Sequence, residues 1–403
     1  MIDQIKKLGP GLLFAGAAIG VSHLVQSTKA GAEFGFGLIW ALILCNFFKY
    51  PFFLFGTKYA FSTNETLLHG YKKIGDYVLY IYLLLSIVTI FTIQAAVTIV
   101  TASLAVELFG FNNNISILAS IILILCIIIL TVGKYKLLDN FIKIVILILA
   151  LSTLIAVGYA TTDNMVELNF NQIFPDEVSG IIFLAAFMGW MPAPLDVSIW
   201  QSIWTKEKLN LNNKIKYKSA LFDFNVGYIS TVFLGLCFVT LGAFVMFESG
   251  QTFSNNGSEF ANQLIKLYTA NLGENVKIFI SIAAFTTMLS TTITCLDASP
   301  RAMSQTLKLL NHKKISGYNT WILIISIITM IIFVFFESEM GALIKIATIL
   351  SFITAPIYAI MNYSLVNSGY MPKKFKLSKS MKFYSISGII FLTIFSIWYI
   401  TLI

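Results

Sequence analysis

The chain has 403 residues, of which 57% are hydrophobic and only 11% charged, and its mean hydropathy is +0.83. Soluble domains carry about 25% charged residues, so a soluble globular protein is excluded and an integral membrane protein is implied. The formal net charge of +8 is what a basic face against anionic lipid requires, and it calls for no nucleic-acid partner.

A spanning helix needs roughly 20 predominantly apolar residues, and eleven such segments are predicted, near 11–33, 37–60, 78–109, 114–133, 139–160, 178–202, 220–247, 274–298, 319–337, 340–365 and 383–402. Membrane barrel strands would alternate in polarity, whereas runs such as "ISILASIILILCIIILTVG" do not. The N-terminal "MIDQIKKLG" runs into a full-length span without a small-residue cleavage site, so no cleavable signal peptide is expected.

The first span contains "AIGVSHLVQSTKAG", in which Gly20, Ser22, His23, Gln26, Ser27, Thr28 and Lys29 interrupt the apolar run. His23 is the one histidine inside a predicted span, since His69 and His312 fall in loops beside lysines. The sixth span contains "FMGWMPAPLDVSIWQS", with Gly189, Pro192 and Pro194 close together and Asp196 immediately after. Each proline removes a backbone donor, which frees the carbonyls of Met188 and Trp190. Broken backbone at membrane depth is tolerated where it lines a cavity or meets other protein. Two interrupted spans five helices apart are the signature of a transporter built from inverted five-helix repeats. The repeats are placed at about 11–160 and 178–365, with 383–402 as an extra helix and residues 1–403 as one transmembrane domain.

The connections fix an orientation. The N-terminus and the segments 61–76, 134–138, 203–219, 299–318 and 366–382 hold 20 of the 27 basic residues. Basic loops stay cytoplasmic, so the N-terminus is expected inside the cytoplasmic membrane and the C-terminus outside. Cys45, Cys126, Cys237 and Cys295 sit singly in separate spans without a C-x-x-C, as small core residues do. No H-E-x-x-H, G-x-S-x-G or phosphate loop is present, so neither an enzyme nor a cofactor is expected.

Four stretches in order, "LGPGLLFAGAAIG", "AGAEFGFGLIWAL", Met191-Pro192 and "STTITCLDASPRAMSQ", make the chain similar to the NRAMP divalent-metal transporters. The resemblance covers most of the chain. It implies an all-α, LeuT-type fold with broken helices 1 and 6, and transport of a metal ion. That family is known by Asp-Pro-Gly-Asn in the helix 1 break and Met-Pro-His in helix 6. Here the aligned residues are Gly20-Val21-Ser22-His23 and Met191-Pro192-Ala193. The family's helix 3 acidic pair, associated with proton passage, aligns with Gln94 and Val97. The resemblance thus implies Gly20, His23, Met188 (through its carbonyl) and Met191 around the substrate, with His23 and Met191 as the ligands if that substrate is a metal.

Without the aspartate a hard divalent ion loses a ligand and a neutralising charge, whereas a softer metal suits imidazole and thioether. Lys29, about 9 Å along a helix from His23, complicates any cation cargo. It either pairs with Glu33 or Asp196 or serves coupling and substrate binding; Gln94 belongs to the same coupling group. Asp196 either lines the site or caps the half-helix after Pro194. The expected function is secondary transport of a metal ion with altered selectivity and without the family's usual proton coupling, by a monomer in the bilayer. The alternatives are a small organic or anionic solute, or a sensor on the same scaffold; no internal loop is long enough for a signalling domain, which favours transport.

Overall fold

Apolar runs of this length satisfy their backbone groups within lipid only as helices, and helices are the regular secondary structure among the residues the computed structural model describes, 9–110, 114–132, 135–163, 169–211, 215–247, 254, 257–272, 277–335 and 340–402. In chain order the α-helices are α1 Pro10–Ala18, α2 Thr28–Phe34, α3 Ile39–Thr63, α4 Leu67–Ile74, α5 Asp76–Phe109, α6 Ile115–Val132, α7 Tyr135–Asp163 and α8 Val178–Trp190. They continue as α9 Val197–Leu211, α10 Tyr217–Val245, α11 Gly257–Leu272, α12 Lys277–Leu309, α13 Tyr318–Phe335, α14 Met340–Asn367 and α15 Lys379–Leu402. The N-terminal residues 1–8, on which part of the basic-loop argument rests, lie outside the described residues.

Among the described residues seven helices are long and apolar enough to cross a membrane alone, and the bent pair at the start of the chain makes an eighth. The chain is a multi-pass membrane protein. The tally of eleven further requires α6, the broken pair α8–α9 and the polar α12 as crossings. The helix α11 precedes the eighth predicted span.

Both expected breaks are present. Helix 1 stops at Ala18, bends by 49°, and resumes as a π-helical turn, Ser22–Ser27, that runs into α2. The sixth span stops at Trp190 and resumes at Val197. The break in the first span falls at Ile19–Gly20, so His23 lies in the wide π turn after it rather than in unwound chain. π turns cluster at functional sites.

Close backbone packing positions these halves. A Cβ on Gly11 would lie 2.0 Å from the Asp223 carbonyl oxygen, and one on Gly227 would lie 1.9 Å from that of Gly11. Only glycine lets α1 and α10 touch this way, the packing logic of membrane helices. The Asp223 carboxylate then accepts the backbone N–H groups of Gly9 and Gly11, both at 2.9 Å, capping α1 from another helix.

The last helix, α15, has a backbone role. Pro51 in α3 and Pro356 in α14 lack the N–H groups that would bond the carbonyls of Phe47 and Phe352, four residues earlier. The Tyr384 hydroxyl donates to the Phe47 carbonyl, and the Ser396 hydroxyl donates to that of Phe352 at 3.2 Å. One helix thus satisfies the carbonyls freed by prolines in two others.

Candidate functional site

The two breaks meet against α10. A Cβ on Gly235 would sit 3.7 Å from the Met191 sulfur and 3.8 Å from His23 Cδ2, so both side chains face one point on that helix. His23 is fully buried and Met191 nearly so. The Ser27 hydroxyl lies 3.8 Å from the Met191 sulfur.

His23 is held by backbone. Its Nε2 is 2.9 Å from the Thr231 carbonyl oxygen, and its Nδ1 lies 2.7 Å from the Ser22 hydroxyl and 3.1 Å from the Ala18 carbonyl oxygen. Neither nitrogen is free as a metal ligand in this arrangement. Gly20 packs outward from this point, where a Cβ would lie 2.7 Å from Thr291 Oγ1 on α12. Between the breaks lies a cavity of about 20 Å³, room for one water. Its walls include Ser22, Val97, Trp190 and Pro194.

The helix 6 carbonyls have a partner that the family resemblance does not suggest. Lys49, in the middle of α3 and fully buried, places its Nζ 2.7 Å from the Met188 carbonyl oxygen, 2.8 Å from that of Gly189 and 3.5 Å from that of Ala193. The Cys45 thiol, one turn earlier on α3, also donates to the Met188 carbonyl, at 3.0 Å. The local reason is direct. The Met188 carbonyl would bond the N–H that Pro192 lacks, and the Gly189 carbonyl is orphaned because α8 ends at Trp190. Asp196 is buried immediately before α9 and lies in the field of Lys49, at the helix end where the dipole is positive. Its Oδ1 has no hydrogen-bond partner.

The remaining expected residues separate into other places. Lys29 pairs with Glu33 at 3.4 Å and lies 5.7 Å from the centre of the Phe183 ring, not beside Asp196. It borders a vestibule of about 470 Å³ on the side of the bundle away from Gly9, together with Gln26 and Lys345. Gln94 is buried between α5 and α12, its Nε2 donating to Thr98 Oγ1 at 3.1 Å and to the Thr292 carbonyl at 3.4 Å. Thr348 and Thr354 bond carbonyls of their own helix, as hydroxyls in membrane helices commonly do. Asp297 takes Arg301 Nε at 2.8 Å and the Tyr318 hydroxyl at 2.6 Å on the basic side.

Among the described residues no group of three or more His, Cys, Asp or Glu side chains is placed to hold a metal ion. The residue that sequence reasoning missed is Lys49. Its signal was the lone lysine of "LCNFFKYPFF" within the second predicted span, since intramembrane charges default to function.

Comparison with known proteins decides the family. Residues 11–402 match the "Natural resistance-associated macrophage protein-like" (Nramp) family. The chain belongs to this family. It is 35% identical to an uncharacterized protein of Pasteurella multocida (strain Pm70) over 99% of this chain and 92% of that one. The fold is similar to that of a mutant Eremococcus coleocola manganese transporter, with a TM-score of 0.72 at 15% identity over 96% of this chain and 84% of the other. It is also similar to Mhp1, a nucleobase-cation-symport-1 family transporter in a closed conformation, with a TM-score of 0.63 at 14% identity over 98% and 92%. Both likenesses establish the LeuT-type architecture of this Nramp-family chain.

Proposed function

We propose that this protein is a secondary transporter that moves a metal ion by alternating access, with selectivity altered from that of other Nramp-family members and without the usual proton coupling. The observation that carries the reading is the pair of broken helices whose residues His23 and Met191 converge on Gly235. Broken helices at mid-depth expose backbone groups that substrates use. The manganese transporters of similar fold make a metal ion the first cargo to test.

The chemistry at the break argues against a hard divalent ion. Such ions want several oxygen ligands and a neutralising carboxylate, and the aspartate position is Gly20, packed on Thr291. The Met191 sulfur suits a softer metal. No carboxylate relay stands at Gln94 and Val97. The N-terminus is assigned to the cytoplasm and the C-terminus to the outside, and the single domain of two inverted repeats works as a monomer in the cytoplasmic membrane.

A second reading, a small anionic or organic solute, is favoured by the vestibule bordered by Lys29 and Lys345. A fixed positive field there raises the local concentration of anions.

The test is uptake into proteoliposomes with a pH dye inside, comparing manganese, zinc and small organic anions. Zinc uptake that exceeds manganese uptake, without acidification, is the expected result. Saturable manganese uptake with acidification, unchanged by His23→Ala, overturns the selectivity and coupling parts of the reading.

A further inference from the structure

Lys49 is a buried charge that the family resemblance leaves without a role. A buried ammonium persists only where its three donors find acceptors and its charge finds compensation. All three acceptors come from one place, the carbonyls of Met188, Gly189 and Ala193 around the helix 6 break. Met188 and Gly189 belong to the last turn of α8, where the helix dipole presents its negative end. Asp196, across the break, supplies a buried carboxyl group with one oxygen left unpartnered.

A ring of carbonyls at a helix C-terminus, with a carboxylate beside it, is a binding site for a cation whose hydration shell it replaces. We propose that Lys49 is a tethered cation that fills this site, so that the native protein takes no free cation there and the site becomes available when Lys49 is removed. The inference rests on reading the paired breaks as the transport site, and it supplies the cause of the altered selectivity. A hard divalent ion approaching the Met188 carbonyl meets a charge of its own sign already bonded to that oxygen. The occupant that fits the emptied site is a monovalent cation of ammonium chemistry, because the oxygens are already spaced for N–H donors.

The experiment is thermal unfolding and calorimetric titration of the full chain in nanodiscs, in a buffer whose only background cation is N-methylglucamine. Native protein, Lys49→Ala and Lys49→Met are titrated with ammonium, propylammonium, potassium and manganese chloride. Lys49→Ala is expected to unfold at lower temperature than the native protein. Ammonium or propylammonium should raise its Tm saturably while leaving the native Tm unchanged, since a ligand that binds only the folded state stabilises it. Lys49→Met, whose longer side chain fills the space without charge, should respond less. Manganese should bind Lys49→Ala at least about tenfold more tightly than the native protein, the direction that like-charge repulsion dictates.

Equal manganese affinity in the native protein and Lys49→Ala overturns the proposal. So does a folded Lys49→Ala that no cation stabilises. If Lys49→Ala folds only when purified in propylammonium, the proposal stands, and if propylammonium does not recover it, the proposal fails. Native protein that transports nothing would defeat the transport reading while leaving these binding results to stand on their own.

Discussion

The Lys49 ammonium lies 2.7 Å from the carbonyl oxygen of Met188, and both residues are fully buried. One proline explains the acceptor and one lysine on a neighbouring helix satisfies it. Losing the lysine strands the Gly189 carbonyl, leaves that of Met188 with only the Cys45 thiol, and leaves Asp196 without its cation. Removing one partner from a buried, paired charge costs about 3–5 kcal/mol, so Lys49→Met should lose stability on that scale in reversible unfolding. A loss under about 1 kcal/mol, the range of an exposed pair, would show that the ammonium is not paired as described.

Gly235 on α10 faces both Met191 and His23. An alanine there would make ordinary contacts with both and press on Leu42 Cδ1 at 3.2 Å, the movable end of a side chain. Gly235→Ala should therefore fold normally and slow uptake of any cargo seated between those residues. Unchanged uptake in proteoliposomes would place the cargo elsewhere.

Tyr384 and Ser396 each donate to a carbonyl that a proline has freed. A carbonyl left without a donor where no water reaches it, in the core or against lipid, costs about 1–3 kcal/mol. Tyr384→Phe and Ser396→Ala should each destabilise by about that much, and the double variant by about their sum, because the two bonds reach different helices from well-separated positions on α15. Thermal unfolding in nanodiscs measures it.

His69, in α4 between two spans, is held below its ordinary value of 6.5 first by burial and then by the charge of Lys206, with Glu65 opposing and Lys73 adding. Its Nδ1 is 2.9 Å from Gln305 Nε2, a donor that needs the unprotonated nitrogen. The unfolded chain therefore binds more protons than the folded one just below pH 6.5, and stability rises with pH through that window. Native protein should lose stability as the pH falls below about 6.5, and His69→Gln should flatten the slope. The same slope in both would assign it to other groups.

The asymmetry of the basic loops predicts a cytoplasmic N-terminus and an external C-terminus. A C-terminal reporter active only in the cytoplasm should be silent, and an N-terminal one active. The reverse pattern would mean an inverted chain, and activity at both ends an even number of crossings.

Much of this was legible in the sequence because lipid leaves few options. Apolar length dictates helices, and Gly20, with its backbone freedom, and the pair Pro192 and Pro194, which lack their N–H donors, mark where two of them break. The i, i+4 spacing of Lys29 and Glu33 made their pairing one of the readings open to the sequence, and it is the one the fold realises. What sequence could not supply is which groups answer the broken backbone, because those partners come from distant parts of the chain. Lys49 is 139 residues from Met188 and Tyr384 is 337 from Phe47. His23 read as a free ligand because its spacing says nothing of Thr231, 208 residues away. Composition and periodicity determined that this is a membrane bundle with two interrupted helices. Only tertiary packing decided that a lysine side chain occupies the carbonyls of one interruption, because a freed carbonyl accepts whatever donor the fold brings within reach.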